Sequence, residues 1–149
     1  EYPFTTLASK VSKFWYGDGG SYAFVTDSIG LIQDMDALHE IIASFELTLE
    51  DVRAADLVLC LVDFTEDLPS INRKLDESQK ILNRLSVEKE KTLLLFNKID
   101  ALSDAEMREK SRNINATPEH IFISAKTGEN LDVLREAIAE KISRTNRQR

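Results

Sequence analysis

The chain of 149 residues has the length of one domain, and its 42% hydrophobic content is enough to build a buried core. The net charge of −7 disfavours binding to a nucleic-acid backbone over the whole surface, so no direct DNA binding is expected. A single cysteine excludes an internal disulfide and no apolar run is long enough to span a bilayer, so we expect a reducing, cytoplasmic location without a membrane partner.

The amino-terminal segment contains FTTL at residues 4–7, which offers a candidate metal ligand. The hydroxyl and carbonyl oxygens of Thr6 are hard ligands that suit Mg²⁺, although a turn or capping role is the commoner use of threonine. The next run, KVSKFWY at 10–16, alternates in polarity and precedes GDGG, a tight-turn signal. Together with the strand-like run at 21–27, it predicts an antiparallel hairpin at the edge of a sheet.

The strand at 21–27 ends in DSIG, which combines an acidic residue with a glycine. An acid at a strand tip, here Asp27, is able to hold Mg²⁺ through water. Gly30 allows a backbone N–H to approach a γ-phosphate closely, although such turns are common for other reasons. Apolar side chains then recur at helical spacing over residues 36–55, which predicts a helix.

Four apolar runs, at 21–27, 56–63, 91–98 and 120–125, lack the alternation of a half-exposed strand. Such runs are typical of strands that are buried on both faces of a parallel sheet. Helical patterns at 70–85, from Ser103 onward and at 130–142 separate or follow these strands. At the second of them, Glu106 completes a capping box with Ser103. The alternation of strands and helices predicts a three-layer α/β/α sandwich with a mostly parallel sheet, and no linker divides it.

Three polar side chains, Asn97, Lys98 and Asp100, lie at or just past the end of the run at 91–98. The Asp100 carboxylate is able to accept hydrogen bonds from N1–H and the exocyclic amine of guanine, a donor pair that adenine lacks. Asn97 is expected to bind N7 or to brace the loops, and the Lys98 stem to lie against the ring. Ile99 is expected to point into the fold.

The sequence SAK follows the last strand, at Ser124, Ala125 and Lys126. We expect the Ala125 N–H to donate to the guanine O6, Ser124 to brace the loop of Asp100, and Lys126 to cover the other ring face. Because ligands of such sheets bind outside the carboxyl ends of the strands, these groups are expected to meet there around GTP or GDP, with Asp27, Gly30 and Asp63 along the same edge.

The order of these motifs, F-T-T-L, D-x-x-G, N-K-x-D and S-A-K, resembles that of translation-factor-class GTPases with a P-loop GTPase fold. The resemblance narrows to the HflX family of ribosome-associated GTPases on the stretch VTDSIGLI and the segment from there to LVLCLVD. The stretch YPFTTL suits Obg-like GTPases as well. The residues that fit the family's helix pattern are Ser44, Phe45, Thr48, Leu49, Glu50, Ala55 and Asp56.

The resemblance implies roles and partners for this chain. It implies that Thr6 and Asp27 bind Mg²⁺, that Gly30 senses the γ-phosphate, and that Asn97–Asp100 and Ser124–Lys126 read guanine. It also implies that the large ribosomal subunit is a partner. The position after Gly30 is Leu31, so no residue is identified as a catalytic base.

The 149 residues contain no G-x-x-x-x-G-K-[ST] sequence, the loop that cradles phosphates in such enzymes. We therefore expect residues 1–149 to be a partial GTPase domain that lacks the first strand and the phosphate loop. GTP hydrolysis is expected of the intact protein and not of this chain alone. The alternative is a non-catalytic GTPase-like interaction module.

Four residues receive structural interpretations. Asp63 is predicted to end a strand and cap the next loop, although a phosphoacceptor receiver domain would use it with Lys126; the acidic pair such a domain needs is not seen. Cys60 lies in an apolar run and is expected in the core. His39 and His120 have no metal-ligating neighbours in sequence and are expected at the surface.

Overall fold

The computed structural model describes residues 10–16, 20–27, 50–115 and 119–147. The chain divides into two compact units, Glu1–Ala55 and Asp56–Arg149. The predicted sites Thr6, Gly30 and Leu31 lie outside the described residues, as does His39. Of the predicted helix at 36–55, the described part is helical at 50–54, where Val52 is buried. The prediction of one domain over residues 1–149 stays a prediction.

The first unit contains the predicted hairpin. Strands β1 (Lys10–Tyr16) and β2 (Ser21–Asp27) pair antiparallel, with Trp15 opposite Tyr22. Gly20 has a φ of 71°, a left-handed conformation that glycine adopts without steric cost, and it closes the turn. The two paired rings lie 5.5 Å apart between centroids, and such cross-strand aromatic pairs stabilise a hairpin. The expectation that β2 is buried on both faces is wrong, because six of its seven residues are exposed in a sheet of two strands.

The second unit is built on a three-stranded parallel sheet. Its strands are β3 (Val58–Asp63), β4 (Thr92–Asn97) and β5 (His120–Phe122), in the order β3-β4-β5. Asp63 lies opposite Asn97 in the register, so the carboxyl ends of β3 and β4 meet at one edge. The predicted parallel pairing is confirmed, and each strand is shorter than its apolar run.

Three helices pack on this sheet, α1 (Leu68–Arg84), α2 (Asp104–Asn113) and α3 (Leu131–Arg147). Helix α1 begins two residues before its predicted start because Asp67 is the N-cap and Pro69 is accommodated in the first turn. In α2 both halves of the predicted capping box are present, between Ser103 and Glu106. No helix in the described parts of the chain is long and apolar enough to cross a membrane.

The core lies on both faces of β4, because its side chains alternate between the faces. Leu94 and Phe96 pack on one side and Leu93 and Leu95 on the other, all of them buried. The first side carries residues of α1 and α2, including Ile71, Leu75 and Met107, and the second carries residues of α3, including Leu131 and Leu134. Helices therefore cover both faces of the sheet in this unit, as predicted.

Two residues of the sheet test the structural interpretations. Cys60 packs against the first cluster, and burial raises the pKa of its thiol to about 11, so its assignment to the core is confirmed. His120 was expected at the surface, and this prediction is wrong. Its ring is half-buried and makes edge contacts with Phe96 and Phe122, because residues 120 and 122 of β5 share one face of the sheet.

Candidate functional site

A left-handed turn follows β4 and shapes the carboxyl edge of the sheet. Lys98 has a φ of 71°, a conformation that costs about 1 kcal/mol or more for a residue with a side chain. A single 3-10 turn, Ile99–Ala101, comes next. Ile99 points into the core as expected, and its N–H donates to the carbonyl of Ile123. The turn thus leaves Asn97 and Asp100 at the edge.

Asp100 is joined to the loop after β5 by a short hydrogen bond. The hydroxyl of Ser124 donates to Asp100 Oδ1 at 2.6 Å, and the Ser124 side chain is fully buried. The same hydroxyl accepts from the N–H of Thr127 at 3.1 Å. The predicted bracing contact is therefore present. The other carboxylate oxygen of Asp100 lies 3.9 Å from the ammonium of Lys126, which is 85% exposed.

A second hydrogen bond joins the same two loops. The backbone N–H of Ala125 donates to Asn97 Oδ1 at 3.0 Å, so Asn97 braces the loops, one of the two roles predicted for it. The Ala125 N–H was expected to donate to guanine O6. In this structure that hydrogen bond is made to Asn97, so a base oxygen would have to share or replace it.

The loop after β5 is closed by its own hydrogen bonds. The N–H of Gly128 donates to the Ser124 carbonyl at 2.9 Å, and the Ser124 N–H donates to the Glu129 carbonyl at 3.1 Å. Gly128 has a φ of 85°, which favours glycine at this position. The Asn130 side chain donates to the carbonyl of Phe122 and ties the end of the loop to β5. These hydrogen bonds close the loop on itself and attach its end to β5.

Asp63 was expected at the same sheet edge as the other polar groups, with a capping role favoured for it. Its Oδ1 accepts from the N–H and hydroxyl of Thr65, as a capping residue would, but its Oδ2 pairs with Lys98 Nζ at 2.6 Å. Burial by itself would raise the pKa of Asp63. The hydrogen bonds from Lys98 and Thr65, together with the Lys98 charge, lower it to about 2. The signal that could have found this pair is the placement of both residues at the ends of neighbouring strands.

These contacts also bear on the receiver-domain alternative. Such a domain would combine Asp63 with Lys126, whereas Asp63 pairs with Lys98 and the Lys126 ammonium lies near Asp100. The pairing that would support phosphoacceptor chemistry is therefore not made among the described residues.

The predicted metal ligands are described only in part. Asp27 is the exposed last residue of β2, in the first unit, and its carboxylate is a suitable oxygen ligand for Mg²⁺. Thr6 and Gly30 fall outside the described residues. Within the residues that the structure describes, no group of three or more acidic, cysteine or histidine side chains is arranged to hold a metal ion. The assignment of Thr6 and Asp27 to Mg²⁺ stays a prediction.

A pocket of about 200 Å³ lies near the amino ends of β4 and β5, away from Asp100. The Lys141 ammonium on its wall pairs with Glu119 and donates to the carbonyl of Glu90. Its full lining is Glu88, Glu90, Lys91, Glu119, Lys141, Arg144 and Thr145. Because three acidic and three basic side chains line it, the pocket offers a ligand no net formal charge.

No protein-family model matches the chain, but curated relatives do. The GTPase HflX of Thermofilum pendens is 34% identical over 142 residues, which are 94% of this chain and 32% of the relative. The GTPase HflX of Methanocaldococcus jannaschii is 34% identical over 124 residues, 80% of this chain and 29% of the relative. The GTPase HflX of Escherichia coli K12 is 29% identical over 140 residues, which are 94% of this chain and 32% of the relative. The chain spans about a third of the length of the curated relatives it matches.

Solved structures of P-loop GTPases share the fold. A GTP-binding protein from Sulfolobus solfataricus in complex with GDP has a TM-score of 0.68 at 22% identity, covering 91% of this chain and 44% of that one. Era in complex with MgGDPNP and nucleotides of 16S ribosomal RNA has a TM-score of 0.67 at 21% identity; the match covers 93% of this chain and 45% of Era. A probable GTP-binding protein engB has a TM-score of 0.59 at 20% identity; the match covers 97% of this chain and 84% of that one. The predicted α/β fold of the P-loop GTPase class is confirmed.

Proposed function

We propose, from the premise that this chain is a homologue of the GTPase HflX proteins over most of its length, that it is the base-reading part of a guanine-nucleotide-binding domain. One observation carries the proposal. The turn at 97–101 and the loop at 124–128 are joined by two hydrogen bonds, Ser124 to Asp100 and Ala125 to Asn97. A pair of loops held in register before binding loses little freedom when a flat, polar base enters.

Asp100 is the residue to which we assign the choice of guanine. Ser124 occupies one side of Oδ1, which fixes the carboxylate, and the remaining lone pairs are available to N1–H and the exocyclic amine. Adenine offers no such pair, so the carboxylate, held by Ser124, would lose partners. That loss corresponds to discrimination of several kcal/mol. The stems of Lys98 and Lys126 would enclose the ring from its two faces.

For the phosphate end, the proposal rests on the sequence alone. Thr6 and Asp27 would bind Mg²⁺ and Gly30 would contact the γ-phosphate of GTP. Since the 149 residues contain no phosphate-cradling loop sequence, we infer that this chain binds GDP weakly and hydrolyses GTP negligibly. The GTPase activity belongs to the longer protein that the relatives' length suggests. A non-catalytic nucleotide-binding module is the alternative for the chain itself.

A titration of the 149-residue chain by two-dimensional ¹⁵N NMR tests the assignment, because this method detects weak binding. Added GDP should shift the amides of 97–101 and 124–128 in a saturable manner, with an affinity about a hundredfold or more above that for ADP. Asp100→Asn should lose affinity for GDP and gain affinity for xanthosine diphosphate, because an amide donates where a carboxylate accepts. Equal responses to GDP and ADP would contradict the proposal.

The ribosome as a partner and a cytoplasmic location are proposed from the resemblance to the HflX family. Absence of a long apolar helix in the described residues is compatible with this location. Sedimentation of the longer protein with large ribosomal subunits should depend on the nucleotide, with more protein in the pellet when a non-hydrolysable GTP analogue is present. Equal pelleting with large and small subunits would count against the large subunit as the partner.

A further inference from the structure

We propose that Asp63 and Lys110 are positioning residues for Lys98, and through it for the base-reading turn at 97–101. The inference rests on the proposed function and names two side chains that the sequence motifs do not include. Asp63 acts on Lys98 directly, and Lys110 holds the loop that keeps Asp63 in place.

The first link is the ion pair between Asp63 and Lys98. Lys98 is 57% exposed and occupies a strained left-handed position, so its long side chain would otherwise sample many rotamers. The Asp63 carboxylate accepts from its ammonium at 2.6 Å and thereby fixes where the stem runs. The stem is the part that would lie against the base.

The second link is Lys110, which clamps the loop after β3. Its ammonium donates to the carbonyls of Phe64 at 2.9 Å, Thr65 at 3.2 Å and Glu66 at 2.7 Å. A lysine ammonium has three donors, so each is used on one carbonyl of three consecutive residues. The cation also lies 5.7 Å from the centre of the buried Phe64 ring. Such an arrangement restrains a loop far more than a single exposed ion pair does.

The two links are joined through the backbone of this loop. Thr65 donates to Asp63 from both its N–H and its hydroxyl, and the Phe64 N–H donates to the Asn97 carbonyl at 2.9 Å. Lys110 stands on α2, which begins directly after the base-reading turn. The turn is therefore held from both sides, by the chain that continues into α2 and by the loop that α2 grips.

A double-mutant cycle on the 149-residue chain, read by NMR titration with GDP, tests the positioning role. Asp63→Asn and Lys110→Met should each weaken GDP binding about fivefold when Lys98 is present. In a Lys98→Met background both should have no further effect, because the residue they position is absent. Lys74→Met is the matched control. Its ammonium contacts the side chain of Glu66 on the same loop, and it should leave the affinity unchanged.

Two outcomes would overturn the inference while leaving guanine binding intact. Equal losses in both backgrounds would mean that the residues act on general stability, which amide spectra and unfolding temperatures of each variant would reveal. Tighter GDP binding by Asp63→Asn would mean that Asp63 withholds Lys98 from the nucleotide instead of positioning it.

A second readout needs no nucleotide and separates the inference from the proposed function. The pKa of Asp63, about 2 in this structure, is measurable from its carboxyl ¹³C shift. Lys98→Met and Lys110→Met should both raise it, the second by releasing the loop that carries Thr65, whereas Lys74→Met should not. If GDP fails to bind but the pKa of Asp63 rises in these two variants, the positioning of Asp63 by Lys110 is supported and the proposed function is contradicted. If Lys110→Met leaves the pKa of Asp63 unchanged, Lys110 does not position Asp63 and the inference is overturned.

Discussion

At the scale of single residues, the site depends on a few side chains that each serve two partners. The Ser124 hydroxyl donates to Asp100 and accepts from Thr127, and the Asp63 carboxylate divides its oxygens between Thr65 and Lys98. In both cases one group links the segment after one strand to the segment after another. Replacing such a residue leaves more than one polar group without its partner.

Asp63 gives a prediction about acid. Its pKa is about 2 in the folded chain and about 3.9 when unfolded, so its stabilisation is complete above about pH 4 and is lost as pH falls toward 2. Asp63→Asn should cost about 1 kcal/mol near neutrality, since water screens much of this interaction. The difference in unfolding free energy between wild type and variant should shrink from pH 5 to pH 2.

Urea unfolding followed by circular dichroism over this pH range checks the expectation. The pKa values of Asp67 and Glu106 are lowered too, through hydrogen bonds at helix starts, so the wild type alone would not isolate Asp63. The difference between the two chains does isolate it. A difference that stays constant with pH would contradict the assigned ion pair.

At the scale of elements, local sequence signals fixed the helix starts, whereas hydrogen bonds inside the following loop fixed the end of strand β5. The capping box of α2 was predictable because Ser103 and Glu106 lie three residues apart and their hydrogen bonds are local. Strand β5 was predicted to reach residue 125 but ends at Phe122. The reason is that Ser124 turns away to bond Glu129, a contact that apolar content does not reveal.

The capping box gives a prediction for α2. Ser103→Ala should destabilise the chain by about 1 kcal/mol because the amino end of the helix loses its side-chain acceptor. Ser111→Ala, in the same helix, is the control. Its exposed hydroxyl donates to the Arg108 carbonyl, and alanine favours helix, so little change is expected. Equal losses of unfolding free energy in the two variants would count against the capping role.

At the scale of the whole molecule, the two compact units carry different parts of the predicted site. The residues proposed to read the base lie in Asp56–Arg149, where the sheet and three helices place them at one edge. Asp27 ends a hairpin in Glu1–Ala55, and Thr6 and Gly30 belong to the same unit but outside its described residues. The assignment of guanine recognition therefore has geometric support, whereas the assignment of Mg²⁺ and phosphate rests on motif order.

The sequence by itself determined the type and order of the elements, the two motifs to which we assign base reading, and the family resemblance. These follow from apolar periodicity and from short motifs, which are local properties of the chain. Only the tertiary structure decided that Asn97 bonds Ala125, that Asp63 holds Lys98 and that Lys110 grips three carbonyls. Those contacts join residues 28 to 46 positions apart, and their geometry depends on the strand register and on the turns that no local pattern encodes.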